Sequence, residues 1–299
     1  MLIRAVVPAT SANLGPGFDC FGLALNLHNT LTVQPGPFEI KLTGRYSKGI
    51  SVAEDNLVWQ TMLRLWQEIG FTPPSVSLTL ENNVPPARGL GSSSAAIAAG
   101  LAAANAWAGS PLTLPELLQL ASEIEGHPDN VTPALFGGVT LAVPTSEGIL
   151  PRILTKAPGL KAVAIVPSIP LKTQKARGVL PPDVPRADAV FNIAHASLLV
   201  EAFLREDYAL LREGMRDRLH QDQRAALIPG MAPALEAALR AGAFGAALSG
   251  SGPTLLALTT TALETEVAEA MLQPFANEGL DAEAFYLDID AEGTRIEQG

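Results

Sequence analysis

Pro85-Pro86-Ala87-Arg88-Gly89-Leu90-Gly91-Ser92-Ser93-Ser94-Ala95-Ala96 is the stretch on which the reading of this chain turns. Two glycines two residues apart let a backbone approach a ligand and aim its amides inward. Three serines follow, supplying hydroxyl donors or oxygen ligands for a magnesium ion. No charged residue then occurs until Glu116, and alanine dominates the middle of that segment. It reads as a buried helix whose positive end faces the same spot as the glycines. Together these residues describe a cradle for phosphate; the plainer alternative is a glycine turn feeding a packed helix. The pattern is not the common P-loop, since no Lys-Ser or Lys-Thr pair closes it, and Ser94 stands where a G-x-G-x-x-G motif needs its third glycine. No G-x-S-x-G nucleophile elbow occurs there either.

The uncharged run is long enough for a membrane span, but its glycines, serines, Asn105 and Pro111 argue for a buried helix behind a loop. The whole chain has 299 residues, 47% of them hydrophobic, enough for two domains with their own cores. A formal net charge of -10 opposes nucleic acid and anionic membrane as partners, so an anionic substrate has to be met by local cations and amides. Cys20 is the single cysteine, which excludes an internal disulfide and fits a reducing compartment; small buried packing is its simplest role. Met1 to Val7 is too short and mixed for a signal peptide.

Hydrophobic periodicity orders the remainder. Strands are expected at Leu2 to Val7, at Phe21 to Val33 (one or two), at Phe38 to Leu42 and at Ser75 to Leu80. Val58, Met62, Leu65, Trp66 and Ile69 recur at helical spacing after a cap at Asp55 or Asn56, and a further helix near Leu114 to Glu125 opens with Thr113 and Pro115. Gly138 to Val143 reads as a strand. Pro144 to Gly159, rich in Pro, Thr, Ser and Gly, reads as a junction between an amino-terminal domain, residues 1–155, and a carboxy-terminal one, residues 156–299. Beyond it come strands at Lys161 to Val166, Ala243 to Leu248, Thr254 to Leu258 and Ala284 to Ile289. Helices are expected at Ala187 to Phe203, Ala232 to Leu239 and Glu264 to Leu272, and a tight Ser249-Gly250-Ser251-Gly252-Pro253 turn lies between two of the strands.

Pro85 through Ala95 matches P-x-x-x-G-L-G-S-S-x-A and so resembles the nucleotide loop of the GHMP kinases, the small-molecule kinases named for galactose, homoserine, mevalonate and phosphomevalonate. The resemblance implies an α+β fold, with an amino-terminal domain like the second domain of ribosomal protein S5 and a ferredoxin-like carboxy-terminal domain. It implies that Pro85, Pro86, Ala87, Arg88, Gly89, Leu90, Gly91, Ser92, Ser93, Ser94, Ala95 and Ala96 wrap the ATP phosphates, and that Ser93 touches Mg²⁺. Four further segments resemble homoserine kinases within that family, Pro8 to Asp19, Glu125 to Val131, Lys172 to Arg177 and His220 to Arg224, and Ser249 to Pro253 resembles the third glycine motif of the family as a whole.

The acceptor so implied, L-homoserine, carries an ammonium, a carboxylate and a primary hydroxyl. A pocket for it needs a carboxylate for the ammonium, which Asp19 with Asn13 can supply, and guanidinium forks for the carboxylate, which Arg177 and Arg224 can supply. His127 can hydrogen-bond the acceptor end, and Thr173 lies in the same segment as Arg177. Glu125, which abuts Gly126-His127, is taken as the second Mg²⁺ ligand in preference to Glu123. Asn56 is either an adenine contact or a helix cap.

Phosphoryl transfer demands positioning and charge stabilisation more than covalent chemistry. Glu125, Asn130 and Arg177 are the catalytic candidates. Several relatives place an aspartate where this chain has Asn130, which cannot take a proton. Asp129 beside it is expected to point elsewhere, so transfer is read as needing no strong protein base, with the proton leaving through the γ-phosphate or water. The resemblance further implies a product, O-phospho-L-homoserine, on the route to threonine, and a cytoplasmic homodimer.

Overall fold

The alternation that begins at Ile3 and resumes at Phe21 produces two long antiparallel strands, and the rest of the first sheet is built on them. A computed structural model describes residues 1–299. The amino-terminal elements are β1 (Ile3–Ala12), β2 (Phe21–Pro35), β3 (Glu39–Thr43), α1 (Leu57–Glu68), β4 (Val76–Glu81), α2 (Ser92–Trp107), α3 (Leu114–Glu125), α4 (Val131–Phe136), β5 (Val139–Thr145) and β6 (Gly148–Thr155). There follow β7 (Lys161–Pro167), α5 (Thr173–Gly178), α6 (Arg186–Arg205), α7 (Leu211–Gly214), α8 (Gln221–Ala225), α9 (Met231–Arg240), β8 (Gly245–Leu248), β9 (Leu255–Thr259), α10 (Glu264–Asn277), β10 (Ala282–Asp288) and β11 (Arg295–Gln298).

The first sheet has the order β11-β1-β2-β4-β3, with β5 on the other end of β2 and β6 on β5. β2 is long enough to serve two neighbours: Thr30 to Pro35 pair with β4, while Phe21 to Leu23 pair with β5. A register shift at Pro8/Ala9 leaves Asn26 and Leu27 of β2 without partners on β1, a bulge that bends β2 between these halves. The second sheet, β10-β7-β9-β8, is antiparallel throughout.

Three apolar clusters hold these layers. Ile3, Ala5, Val7, Leu31 and Val33 meet α1, α2 and α3 through Met62, Leu65, Trp66, Ala98 and Leu118. The alanines of α2 let it lie close against α1: a Cβ on Gly100 would stand 2.8 Å from the Val58 carbonyl oxygen. α2 is thus the core helix that its composition implies. The faces of the two sheets meet through Leu23, Leu25, Leu90, Ala162, Ala164, Leu256 and Phe203, and the far face of the second sheet packs Val163, Ile165 and Leu255 on Met271 and Phe275. α6 is the one helix long and apolar enough to cross a membrane. It packs on the inter-sheet core through Leu199, Ala202 and Phe203, and exposes Val190, Ile193 and Leu204.

Two parts differ from the sequence reading. Pro144 to Gly159 is largely the β5–β6 hairpin rather than irregular chain, closed by the Thr145 hydroxyl on the Gly148 carbonyl (2.8 Å). Lys156 to Leu160 then carry the chain to the second sheet, and it crosses back after β10. The last residues return as β11 beside β1, a four-residue strand too short to show periodicity in the sequence. Phe21 to Val33 lie within one strand.

Candidate active site

The glycine loop lies where the two sheets meet. Gly89 and Gly91 both have positive φ (80° and 66°), and both need to be glycine for lack of space as well. A Cβ on Gly89 would stand 2.3 Å from the Ser249 carbonyl oxygen, and one on Gly91 would stand 1.9 Å from Thr10 Oγ1. The Ser249–Pro253 turn of the second sheet is therefore pressed against the loop. Ser249 Oγ donates to the Gly89 carbonyl (2.6 Å), and the Thr254 amide donates to the Arg88 carbonyl (3.2 Å). α2 starts directly after Gly91 with no side chain capping it, so its first-turn amides face the cleft with the helix dipole behind them.

Glu125 is the last residue of α3, and the left-handed Gly126 turns the chain away behind it. Its carboxylate faces the loop, accepting hydrogen bonds from Ser93 Oγ (2.6 Å) and Ser94 Oγ (2.7 Å). Glu123 instead lies on the surface, 3.4 Å from Arg64. Of the two glutamates, only Glu125 faces the loop. Two residues along a helix are about 200° apart, so the two side chains leave α3 from nearly opposite faces.

Opposite the loop is a charged pocket. Asn13, Leu14 and Asp19 all have positive φ, which folds the β1–β2 connection tightly on itself. The Asn13 amide braces this turn: Oδ1 accepts the Asp19 N–H (3.0 Å) and Nδ2 donates to the Gly250 carbonyl (3.0 Å). Asn13 thereby acts on Asp19, and its amide is already engaged by the backbone. Arg177 on α5 forms a two-pronged pair with Asp19 (3.0 and 2.7 Å), which raises the Arg177 pKa.

Arg224 is 2% exposed and has no carboxylate partner. It is held by the Ala176 carbonyl (3.2 Å), the Gly250 carbonyl (3.0 Å) and His220 Nδ1 (3.2 Å). Burial, and then the charge of Arg177, pull its pKa down to about 10. The Phe18 ring lies between the two guanidiniums, 5.4 Å from each. Its π face takes up part of their charge. α8, which carries Arg224, is only five residues long, but Asp217 accepts the amides of Leu219, His220 and Gln221, and Gln221 Oε1 accepts the Leu248 amide.

Between loop and pocket lie His127, Asp129 and Asn130. His127 Nδ1 is 2.6 Å from Asp129 Oδ1. Burial lowers the His127 pKa, but the hydrogen bond and the charges of Asp129 and Glu125 outweigh it and hold the imidazole above its ordinary value. Asn130 Oδ1 accepts from the Thr10 hydroxyl at 2.8 Å.

One cleft therefore gathers Asn13, Asp19, Ala87, Arg88, Gly89, Gly91, Ser92, Ser93, Ser94, Glu125, His127, Asn130, Thr173, Arg177 and Arg224. Three corrections apply to the sequence reading, and the alternatives left open for Asn56 both have a place in the structure. Asp129 lines the cleft rather than pointing elsewhere, because the chain turns at Pro128-Asp129 before α4 begins. Leu90 and Ala95 are fully buried in the core and present no side chain to the cleft. Pro85 faces a separate hollow beside Arg45 and Glu283. Asn56 caps α1 through Val58 and Trp59, and its Nδ2 meets the Ser51 carbonyl, though it also borders a second cavity. That cavity is lined by Leu57, Val58, Leu80, Pro86 and Ala96, and it joins the cleft along Ala87, Ser92 and Ser93. Sequence reasoning missed Thr10, Asp129, Gly250 and Ser251 as site residues. The last meets Thr173 Oγ1 at 3.2 Å.

Comparison with known proteins agrees with this geometry. The family models for the GHMP kinases N terminal domain and the GHMP kinases C terminal match residues 56–138 and 199–277. A homoserine kinase of Desulfitobacterium hafniense is 53% identical over 296 residues, covering 99% of this chain and 100% of the relative. One from Carboxydothermus hydrogenoformans is 44% identical, covering 98% and 96%. The crystal structure of homoserine kinase from Cytophaga hutchinsonii superposes with a TM-score of 0.89 at 29% identity, covering 99% and 97%. Mevalonate kinase, at 15% identity and a TM-score of 0.71, shares the fold. A match of this length and identity, spanning both domains and every segment that builds the cleft, means that the chain belongs to the GHMP kinases and, among them, to the homoserine kinases.

Proposed function

We propose that this protein transfers the terminal phosphoryl group of ATP to the hydroxyl of L-homoserine, giving ADP and O-phospho-L-homoserine, a step of threonine biosynthesis. The observation that carries this reading is the union of two sites in one cleft. Uncapped first-turn amides of α2, beside Ser93 and Glu125, open directly onto a pocket holding the Asp19 carboxylate and the guanidiniums of Arg177 and Arg224.

In this reading the adenine occupies the apolar cavity beside Leu57, Val58 and Ala96, and the phosphates run along Gly89 to Ser94. Asp19 receives the substrate ammonium, and Arg177 and Arg224 its carboxylate. A zwitterion suits this arrangement, because it offers each member of the Asp19–Arg177 pair an opposite charge when the two part. The acceptor hydroxyl then points past His127 and Asn130 toward the phosphates. Its oxygen bonds to the γ-phosphorus as the bond to the β,γ-bridging oxygen breaks, and ADP leaves. The hydroxyl proton departs through the transferred phosphoryl group or water, since Asn130 cannot accept it.

Magnesium fits the residues present. Ser93 Oγ and both Glu125 oxygens form a compact set of hard donors, and no group of three His, Cys, Asp or Glu exists that could hold a metal without a nucleotide. Ser93 and Glu125 would hold the ion, which when bound neutralises charge on the terminal phosphates.

The same reading divides the chain into residues 1–155 and 156–299, supported by the passage between sheets after Thr155, with β11 as the one strand that returns. It makes the enzyme a cytoplasmic homodimer, without nucleic acid or membrane as partner; the net charge of -10 supports the latter. The deciding assay is ADP release with L-homoserine beside 4-hydroxybutyrate, 3-aminopropan-1-ol and mevalonate. Turnover with L-homoserine alone is expected, and turnover with mevalonate in its place would refute the assignment.

A further inference from the structure

We propose that Thr10 is a positioning residue for the phosphoryl transfer, acting through Asn130. It rests on the reading above, in which Asn130 works at the reacting centre.

Asn130 stands at the amino end of α4, where an asparagine ordinarily caps its own helix, but this one makes no such bond. Its Oδ1 instead accepts from Thr10 Oγ1 at 2.8 Å, and its Nδ2 lies 3.4 Å from Asp129 Oδ1. The two neighbours agree on one orientation of the amide. A carboxylate oxygen only accepts, so turning the amide over would set Oδ1 against Asp129 Oδ1, oxygen to oxygen. With Oδ1 engaged by Thr10, the second Nδ2 hydrogen has no acceptor in the protein, and Asn130 borders the cleft. The amide is thus held as a donor toward the acceptor hydroxyl or the γ-phosphoryl oxygens, where charge builds during transfer.

Thr10 also touches the phosphate loop. Its N–H donates to the Leu90 carbonyl (3.1 Å), and its hydroxyl fills the space a Cβ on Gly91 would need. Thr10 is itself fully buried within β1, so it reaches no substrate. One hydroxyl, anchored in the sheet, therefore sets the distance between the loop amides and the Asn130 donor. Valine at this position keeps the shape and β preference but leaves Asn130 Oδ1 without its donor, so the amide is free to rotate.

The test is a cycle of Thr10→Val, Asn130→Ala and the double variant, with Thr10→Ser as the conservative control. We expect Thr10→Val to lower kcat about tenfold, with KM for both substrates within about twofold of wild type. Thr10→Ser should recover most of that loss, and Thr10→Val should cost nothing further in the Asn130→Ala background. Melting temperatures separate this from misfolding, because Thr10→Ser loses a packed methyl group that Thr10→Val keeps and should still turn over. If Asn130→Ala is impaired and Thr10→Val adds its full loss on top, the Thr10 proposal fails while the Asn130 reading stands. A raised KM for ATP at unchanged kcat also overturns it, making Thr10 a loop support only. If Asn130→Ala retains wild-type kcat, the Asn130 reading fails and the proposal falls with it.

Discussion

Arg224→Met separates the binding role of the buried guanidinium from its structural cost. A guanidinium drawn down to about 10 is disfavoured as a cation by ~3 kcal/mol while the cleft is empty. Against this stand its contacts with the Ala176 carbonyl, the Gly250 carbonyl and His220 Nδ1. Such bonds contribute about 1 kcal/mol each, so the two effects nearly cancel. Methionine has a comparable length and no charge, so the variant should fold with stability within about 2 kcal/mol of wild type. At about 2–4 °C per kcal/mol that is a small shift in Tm. Binding should respond very differently. Loss of a charge-assisted bond to the substrate carboxylate, about 1.5–3 kcal/mol, raises KM for L-homoserine about 10- to 150-fold and leaves KM for ATP unaltered. Coupled ADP kinetics with each substrate varied, beside thermal melts, measure both. An unaltered KM for L-homoserine, or a rise in KM for ATP in its place, refutes the reasoning.

Three more outcomes follow from the same geometry. Gly91→Ala forces a left-handed alanine whose Cβ stands 1.9 Å from Thr10 Oγ1, so the loop has to shift; kcat/KM for ATP should fall about 100-fold, readable in steady-state kinetics. Asp129→Asn keeps an oxygen for His127 and so should cost less than about tenfold in kcat; a collapse of about a thousandfold, with both KM values intact, would make Asp129 the base. His220, fully buried, has its pKa lowered by burial, and its Nδ1 accepts from Arg224 while Nε2 donates to the Gly15 carbonyl. The unfolded chain therefore binds a proton that the native one refuses below pH 6.5. The contribution of His220 to stability should fall as pH drops below that value, by at most about 1.4 kcal/mol per pH unit, and stay level above it; His127, whose pKa is raised, contributes with the opposite sign, so urea melts of wild type beside His220→Gln across pH 5–8 isolate the former.

The phosphate loop and the helix behind it were legible because their signals are local. Glycine spacing, an absence of charge and a run of alanines each restrict the backbone within a few residues. Asp19 and Arg177 were legible only as chemical types. That they neutralise each other across 158 positions of sequence depends on how β1 and α5 meet. The burial of Arg224 leaves still less trace, because a cation in a five-residue helix reads as solvated until Asp217, Phe18 and the Gly250 carbonyl surround it. Asp129 was misread for a related reason. Its direction is set by Pro128 and the short α4, whose start a sequence pattern resolves to a few residues at best. The second strand of the hairpin, β6, and the strand β11 escaped because an edge strand interrupted by proline, or one only four residues long, carries little periodicity.

The most direct test of the account is the phosphorus NMR spectrum of a reaction holding the protein, ATP, Mg²⁺ and L-homoserine. A new phosphate monoester signal, growing in step with ADP and co-migrating with authentic O-phospho-L-homoserine, is the predicted result. ADP accumulating with inorganic phosphate alone, or no consumption of ATP, would contradict it.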